Sequence, residues 1–339
     1  MAGIPTSLAA DFNLSELVDL TRRNWAVMKE TLPRTAKPLF NVVPVGAGQG
    51  SSKRINEFDG ETFADYKPEG GNSSKARVGV GYSKDMLART FSKEIDITLE
   101  MRNDQRYKEI GQMITDLSGF CENRQDLDLT HRLTFGTSTS YTDMNGETVD
   151  VTMGDGLALL STVHTLAMSA TTYSNRLTGD PAFSQGSYEA ALLLATTQTY
   201  NNLGQQRNLD FNTIVTGRDP GTCRTVKQML NSMADIDSAQ AGIVNVYKDG
   251  SRHVVLPYLA STATAAYDST KRRWWFLIAV GMNGWQAYVG DWIAPQLRTP
   301  APGNNGEDIH SFSWTFATYC RYGIVVLSGK GCIGSCPTS

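Results

Sequence analysis

The segment between residues 45 and 82 limits the possible folds more than any other part of the chain. It contains eight glycines and charges of both signs, but few large apolar side chains. Residues 68–72, with the sequence Pro-Glu-Gly-Gly-Asn, are a strong turn signal, and Val78, Val80 and Tyr82 then alternate along the chain. This pattern predicts a long two-stranded hairpin. Because an isolated hairpin of such composition is marginal in water, it either stays mobile or finds a partner surface.

The segment before the hairpin predicts an amphipathic helix. Apolar side chains recur at helical spacing over residues 14–32, Asn13 or Ser15 can cap the first turn, and Pro33 ends the helix. The simplest interpretation is an ordinary packed helix. The alternative is an arm that lies on a neighbouring subunit.

The segment after the hairpin predicts a strand and a long helix. Residues 91–101 alternate between mostly apolar and polar side chains, which is typical of a strand. Residues 104–135 then carry an apolar stripe at helical spacing that begins after Asp104. An unbroken helix of this length would span roughly 48 Å. An interruption in its second half, which is rich in Asp and Arg, is the alternative.

The rest of the chain contains shorter elements separated by turn-rich segments and has no visible internal repeat. Helices are predicted at 187–202 and 220–230. A linker is predicted at 300–308. Strand-like segments lie at 211–215, 243–247, 254–259, 274–280, 285–292, 312–319 and 323–327. Helices and strands are segregated and do not alternate regularly, so the predicted fold class is α+β.

Composition argues against several classes of protein. The 339 residues include 31 Lys and Arg and 34 Asp and Glu, which gives a formal net charge of −3. Tight binding of nucleic acid requires clustered basic residues that neutralise phosphates, and no basic run occurs. The first residues contain no basic leader followed by an apolar stretch, so we expect no secretory signal. No segment approaches the roughly 18 apolar residues needed to cross a bilayer.

The residues that usually perform catalysis form no recognised motif. The four histidines include no H-x-x-x-H pair of the kind that binds zinc in hydrolases. Ser161 and His164 are three residues apart and could touch on a helix, but no nucleophile-elbow sequence surrounds Ser161. We therefore predict that the chain is not an enzyme and has no catalytic, cofactor-binding or metal site.

Two further motifs are partly similar to known binding sites but depart from their spacing. Residues 46–50, Gly-Ala-Gly-Gln-Gly, look like a dinucleotide loop, but the third glycine comes one position too early and no apolar helix follows. Cys320, Cys332 and Cys336, with His310, lack the paired C-x-x-C spacing of zinc knuckles. We therefore expect plain thiols, with metal ligands and an interchain disulfide as the alternatives for these cysteines.

Several local segments, taken in their order, are similar to one known family. Residues 155–164 resemble the D-G-x-A-L-F-S-T-x-H segment of Mu-type phage heads, with Leu160 where phenylalanine is usual and Thr165 where proline often follows. Further resembling segments are the strand and helix at 91–120, residues 188–194, 211–220, 274–278 and 322–331. Together they resemble the major capsid proteins of tailed bacteriophages, whose fold is called the Hong Kong 97 fold.

This resemblance implies a division of the chain into four parts. Residues 1–44 would form an N-terminal arm and residues 45–92 an extended loop. Residues 93–205 and 303–339 would form a peripheral domain that contains a long spine helix. Residues 206–302 would form an axial domain at capsomer centres.

The resemblance also implies a function. The chain would be a structural subunit of an icosahedral phage head, assembling with itself into hexamers and pentamers that enclose double-stranded DNA. A portal and a separate scaffolding protein would be its partners, because the arm helix begins too close to Met1 to leave room for a removable scaffolding segment. The DNA would be contacted only weakly, no membrane would be involved, and the location would be the virion, assembled in the host cytoplasm. An encapsulin, which is a cellular nanocompartment protein of the same fold, is the alternative, and an enzyme or a surface interaction protein are rivals from other classes.

Six side chains are candidates for contacts between subunits: Trp25, Arg54, Phe58, Tyr66, Lys75 and Arg77. Since residues 45–82 have too few apolar side chains for a core of their own, we expect this segment to be held by neighbouring subunits and not by its own chain. No cross-linking through Lys53, Lys67 or Lys75 is expected, because the sequence identifies neither the acid nor the acceptor that such a reaction needs.

Overall fold

The computed structural model describes residues 14–32, 34–46, 50–233, 244–281, 284–300 and 311–338. The predicted cap Asn13, the predicted helix end Pro33, Gly48, His310 and most of the predicted linker lie outside the described residues. The helices are α1 (Leu14–Thr31), α2 (Leu99–Asn103), α3 (Tyr107–Thr134), α4 (Gln185–Thr197) and α5 (Pro220–Asn231). The strands are β1 (Asn41–Val42), β2 (Ser52–Gly60), β3 (Val78–Leu87), β4 (Arg89–Thr98), β5 (Ser140–Thr142), β6 (Thr148–Asp150), β7 (His164–Thr165), β8 (Thr172–Tyr173), β9 (Thr213–Thr216), β10 (Arg252–Val255), β11 (Trp275–Ile278), β12 (Gln286–Arg298), β13 (Ser313–Ser328) and β14 (Cys332–Ser335).

Two four-stranded sheets form the body of the described structure. The first has the order β1-β12-β13-β4, in which β1 is parallel to β12 and the other pairs are antiparallel. The second has the order β10-β9-β11-β14, in which only the β10–β9 pair is parallel. Strand β13 belongs to the first sheet and β14 to the second. The short turn between them therefore carries the chain from one sheet to the other.

The long helix α3 is unbroken and packs on the first sheet. Its residues Ile110, Ile114 and Leu117 are almost fully buried in a core that includes Leu17 of α1 and Phe316 of β13. Burial of each large apolar side chain stabilises the fold by about 1.5–3 kcal/mol. The predicted apolar stripe and the uninterrupted form of this helix are thus confirmed, and α1 packs against the same surface.

Two predicted strands differ from the structure. One precedes the long helix, and the other lies in the second half of the chain. The strand predicted to run to residue 101 ends at Thr98, because the Thr98 side chain accepts a hydrogen bond from the Met101 N–H at 3.3 Å and caps α2. The predicted strand at 243–247 is not formed by its described residues. There the Asn245 amide donates to the carbonyls of Met229, in the last turn of α5, and of Ser232, just after it, and Val246 is 77% exposed.

Two predicted strands near the C-terminus form one long strand. Residues 312–319 and 323–327 were predicted separately, but β13 runs through both without a break. Gly323 allows this continuity: a Cβ atom there would lie 2.7 Å from the Leu87 carbonyl oxygen. A glycine inside a strand pattern can therefore mark a close backbone approach and not the end of a strand.

Strand pairing joins segments that fall in different parts of the predicted domain division. Strand β12, which falls in the predicted axial region, pairs with β13 in the first sheet. Strand β14, which falls in the predicted peripheral region, pairs with β11 in the second sheet. Helix α4 also lies with the second sheet, since Tyr188 and Ala191 share a core with Ile214 and Trp275. The two sheets thus exchange chain segments, and the domain division itself stays a prediction.

Candidate subunit-contact surface

In the half of the β2–β3 hairpin nearest its tip, the outward face is apolar and the inward face is acidic. Nearer the base, the exposed Arg54 and Asp85 pair on the outward face and Met86 is buried on the inward one. Phe58 pairs directly with Val80 across the hairpin, and Val78 lies two residues away on the same face. These three side chains are 63%, 53% and 66% exposed. Glu57 and Gly79, in contrast, are buried. The apolar face is therefore turned away from the body, which is the reverse of the arrangement that burial within one chain would favour.

The inward face of the hairpin is held by the chain's own body. The Lys330 ammonium lies 2.9 Å from Glu57 Oε1, and Arg207 Nη1 lies 3.4 Å from Asp59 Oδ1. The Asn201 amide also donates a hydrogen bond to the last carbonyl of β2 at 3.0 Å. The expectation that only neighbouring subunits hold this segment is therefore wrong for its strands. The sequence did not show it because these partners are distant in the chain.

The tip of the hairpin, residues 61–77, lies between the strands and is almost entirely exposed. Tyr66 is 91% exposed and Phe63 is 64% exposed. Lys75 and Arg77 are exposed as well. Exposed aromatic side chains grouped on a projecting segment are typical of interaction sites.

The other two candidates have neighbours in their own elements. The Arg54 guanidinium donates to Ser83 Oγ across the hairpin, with distances of 2.6 and 3.2 Å. Trp25 lies half-buried on α1, where the Lys29 ammonium is 4.8 Å from its ring centroid. Five of the six candidates thus lie on the hairpin and one on α1. Their contacts with another subunit stay predictions.

Ser161 and His164 do not form a nucleophile–base pair. His164 Nδ1 is 2.7 Å from Asp155 Oδ2, and its Nε2 is 3.2 Å from Asn175 Oδ1. The Ser161 hydroxyl instead accepts a hydrogen bond from the backbone N–H two residues later, at 3.2 Å. His164 is completely buried. The imidazole links two loop segments and is closed to solvent, so its geometry is that of a structural clip.

Replacing His164 by alanine is expected to lower the free energy of unfolding by about 2–5 kcal/mol. The change leaves the buried Asp155 Oδ2 without its hydrogen-bond partner, which costs about 1–3 kcal/mol. It also removes one of the hydrogen bonds to Asn175 Oδ1 and opens a cavity where the imidazole lay. Ser161→Ala is the matched control and should change the value by less than about 0.5 kcal/mol. Urea unfolding followed by circular dichroism measures both. Equal effects of the two substitutions would contradict the assignment of the clip to His164.

A second buried cluster joins α3 to β13 and to the β5–β6 hairpin. Arg124 Nε lies 3.0 Å from Asp128, and its Nη2 lies 2.9 Å from Asp143 Oδ2. The Tyr322 hydroxyl donates to Asp128 Oδ2 at 2.6 Å. Arg124, Asp128 and Tyr322 help to line a cavity of about 200 Å³.

The pKa values in this cluster reflect burial opposed by pairing. Burial raises the pKa of Asp128, and the nearby Arg124 charge only partly offsets it. Burial alone would also raise the pKa of Asp143, but hydrogen bonds from the Asn145 N–H and from Arg124 bring it below its usual value. Burial alone would lower the pKa of Arg124, but the Asp128 charge and the hydrogen bonds to Asp128 and Asp143 together raise it. The guanidinium therefore favours the charged form of both carboxylates.

The C-terminal cysteines are buried free thiols. Cys320, Cys332 and Cys336 are at most 5% exposed, and burial raises the pKa of Cys336 to about 12. Buried, protonated thiols are poor metal ligands and cannot reach a second chain. Across the described ranges, no group of three or more His, Cys, Asp or Glu side chains is placed to hold a metal ion. In that same part of the chain, no helix combines the length and apolarity needed to span a bilayer.

Comparison with known proteins identifies the fold. No protein-family model and no curated protein sequence matches the chain. The capsid of Ralstonia phage GP4 matches with a TM-score of 0.50 at 12% identity, covering 89% of this chain and 88% of that one. A structure from Gordonia phage Cozz matches with a TM-score of 0.50 at 14% identity, covering 98% and 97%. A virus-like particle from Pyrococcus furiosus has a TM-score of 0.46 at 11% identity, covering 95% and 98%.

The chain has the Hong Kong 97 fold of tailed-phage capsid proteins, in the mixed α+β form that the sequence predicted. Identities this low establish the fold alone. The narrower resemblance to Mu-type heads stays a prediction.

Proposed function

We propose that this chain is the major capsid subunit of a tailed bacteriophage, a structural protein that builds an icosahedral shell around double-stranded DNA. One observation carries the proposal beyond the fold: the β2–β3 hairpin turns its apolar face outward. Phe58, Val78 and Val80 gain nothing from exposure in a monomer. They are suited to a surface that another copy of the chain covers.

Assembly by this route needs contacts that repeat with rotation. Each hairpin would lie on the next subunit, and successive copies would close into hexamers and pentamers. Every subunit is then held by several neighbours at once, so a single contact can be weak while the shell is stable. Charged residues at the tip, such as Lys75 and Arg77, would set the register of the contact more than its strength.

The remaining assignments follow from the same proposal. The arm would include α1, the extended loop would be the hairpin, and the two sheets would lie in the peripheral and axial domains. A scaffolding protein and a portal would take part in assembly, the enclosed DNA would be contacted weakly, and the mature location would be the virion. The net charge of −3 is consistent with weak contact to DNA.

Electron microscopy and sedimentation of the purified full chain test the proposal. The expected result is closed shells several hundred ångströms across that contain both ring types. Particles isolated from their natural source should contain double-stranded DNA, whereas a cellular nanocompartment would contain protein cargo. A chain that stays monomeric or dimeric at native expression levels would contradict a shell function of either kind.

A further inference from the structure

Lys330, Glu57 and Asn202 meet in a closed polar cluster where the hairpin contacts the body. Lys330 Nζ lies 2.9 Å from Glu57 Oε1 and 2.7 Å from Asn202 Oδ1. The three residues are 8%, 2% and 1% exposed. Bulk water is therefore excluded from an amine, a carboxyl group and a carboxamide that are in direct contact.

The carboxamide nitrogen of Asn202 is the unusual atom of this cluster. Within the described residues, this buried Nδ2 has no hydrogen-bond partner, although a buried amide nitrogen normally donates. A Cβ placed on Gly81 would lie 2.2 Å from Glu57 Oε2 and 2.6 Å from Asn202 Nδ2. These two atoms therefore lie within about 5 Å of each other, both close to the glycine backbone. One oxygen of Glu57 faces the amine and the other lies near the amide nitrogen.

A buried ion pair explains only part of this arrangement. Such a pair is stabilised when further hydrogen bonds satisfy its remaining groups. Here the Tyr82 N–H is 3.4 Å from Glu57 Oε2, and the adjacent amide nitrogen stays unpaired within the described part of the chain. The arrangement places a nucleophile against a carbonyl group, with a carboxyl group beside both the nucleophile and the leaving nitrogen.

We propose that Lys330 and Asn202 form an intrachain isopeptide bond, with Glu57 as the proton-transfer group. The Lys330 ammonium first gives a proton to Glu57, which removes both charges from the interior. The neutral Nζ then attacks Cγ of Asn202, forming the Nζ–Cγ bond, and the Cγ–Nδ2 bond breaks. Nζ gives up two protons in all. One leaves on Nδ2 as ammonia, and the other stays on Glu57 until the ammonia carries it away as ammonium, so no oxidant or cofactor is needed.

The three groups come from different parts of the fold, so the reaction requires that these parts are packed together. Lys330 lies in the turn between β13 and β14, and Asn202 lies 128 residues earlier, after α4. Glu57 lies on β2 of the hairpin. The bond would tie the turn that joins the two sheets to the segment after α4, and only a docked hairpin completes the site. The proposal does not depend on shell assembly, since all three groups belong to one chain.

Mass spectrometry of the denatured full chain tests this proposal. The expected result is a mass lower than that of the sequence by about 17 Da, the mass of the ammonia released. Trypsin should then leave the bond after Lys330 uncut and yield a branched peptide that contains Lys330 and Asn202. A normal intact mass with free tryptic cleavage after Lys330 overturns the proposal, and so does a loss of ammonia located elsewhere in the chain.

Substitutions separate the roles of the three residues. Lys330→Arg and Asn202→Ala should each abolish the mass loss, because one end of the bond is gone. Glu57→Gln is nearly isosteric and leaves both ends in place, so loss of the bond in this variant identifies proton transfer. Lys84→Arg is the matched control. Lys84 also forms a partly buried ion pair, with Asp150 at 2.9 Å. The mass loss should persist in this control, and its persistence in Lys330→Arg would overturn the proposal.

Discussion

Replacing Phe58 and Tyr66 together by serine is expected to prevent closed shells while leaving the subunit folded. The two side chains are 63% and 91% exposed in the monomer, so their removal changes its stability by no more than about 0.5 kcal/mol each. At a contact between copies, burial of each aromatic side chain contributes about 1.5–3 kcal/mol. The double variant thus loses roughly 3–6 kcal/mol at every repeated contact, which is enough to abolish assembly of weakly joined subunits.

Sedimentation velocity and circular dichroism together measure this expectation. The double serine variant should sediment as small species with an unchanged helix signal and an unchanged melting temperature. A Phe58→Leu and Tyr66→Phe variant is the matched control, because it keeps apolar area at both positions and should still assemble. Unfolding of the serine variant as a monomer would show instead that the outward face of the hairpin belongs to the subunit's own core.

Local patterns were enough to predict the elements that depend on local spacing. The apolar stripe of α3 runs through Ile110, Ile114, Leu117 and Cys121, and the helix observed at Tyr107–Thr134 lies within the predicted 104–135. The turn at residues 68–72 and the alternation after it predicted a hairpin, and β2 and β3 pair antiparallel as expected. These features are visible because the residues that define them are close in the chain.

The inward face of the hairpin could not be predicted in the same way. Alternation places Glu57 and Asp59 opposite Phe58, but it does not say which side faces the body. In the usual amphipathic arrangement of a strand, the phenylalanine would be buried. Glu57 is buried because its partner Lys330, which lies 273 residues away, reaches it from the turn after β13. A contact between residues so far apart in the chain cannot be recognised from sequence spacing.

The same limit explains why the trio of lysine, acid and asparagine was not found from the sequence. The prediction considered the exposed loop lysines Lys53, Lys67 and Lys75 and found no acid or acceptor for them. The structure assembles such a trio at a different lysine, Lys330, and within one chain. The prediction about the loop lysines is unaffected, because it concerns bonds between subunits.

Replacing Arg124 by methionine is expected to have the largest effect on the stability of the subunit itself. The guanidinium pairs with Asp128 and Asp143 while its side chain is only 13% exposed. Methionine keeps much of the volume but leaves two buried carboxylates unpaired. Removing one partner of a buried ion pair costs about 3–5 kcal/mol. With a urea dependence near 3 kcal/mol per molar, the unfolding midpoint should fall by about 1–2 M.

The pH dependence of this loss follows from the pairing of the carboxylates. The folded-state pKa of Asp143 lies below its usual value, so the stability it contributes is present above the unfolded pKa of about 3.9 and is lost as the pH falls through the folded value. In the methionine variant that contribution from Arg124 is gone. The gap between wild type and variant should therefore be widest near neutral pH. It should narrow as the pH falls through the raised pKa of Asp128, and further below about pH 4 through Asp143.

An exposed pair on the same helix supplies the control for Arg124. Arg106 contacts Glu109 one turn later, and the two side chains are 49% and 54% exposed. Solvent screens such a pair, so Arg106→Met should cost no more than about 0.5 kcal/mol and show little pH dependence. Equal midpoint shifts in the two variants would mean that Arg124 acts through general helix charge. A larger, pH-dependent shift for Arg124 alone would identify the buried cluster as the link that fixes α3 to β13 and to the β5–β6 hairpin.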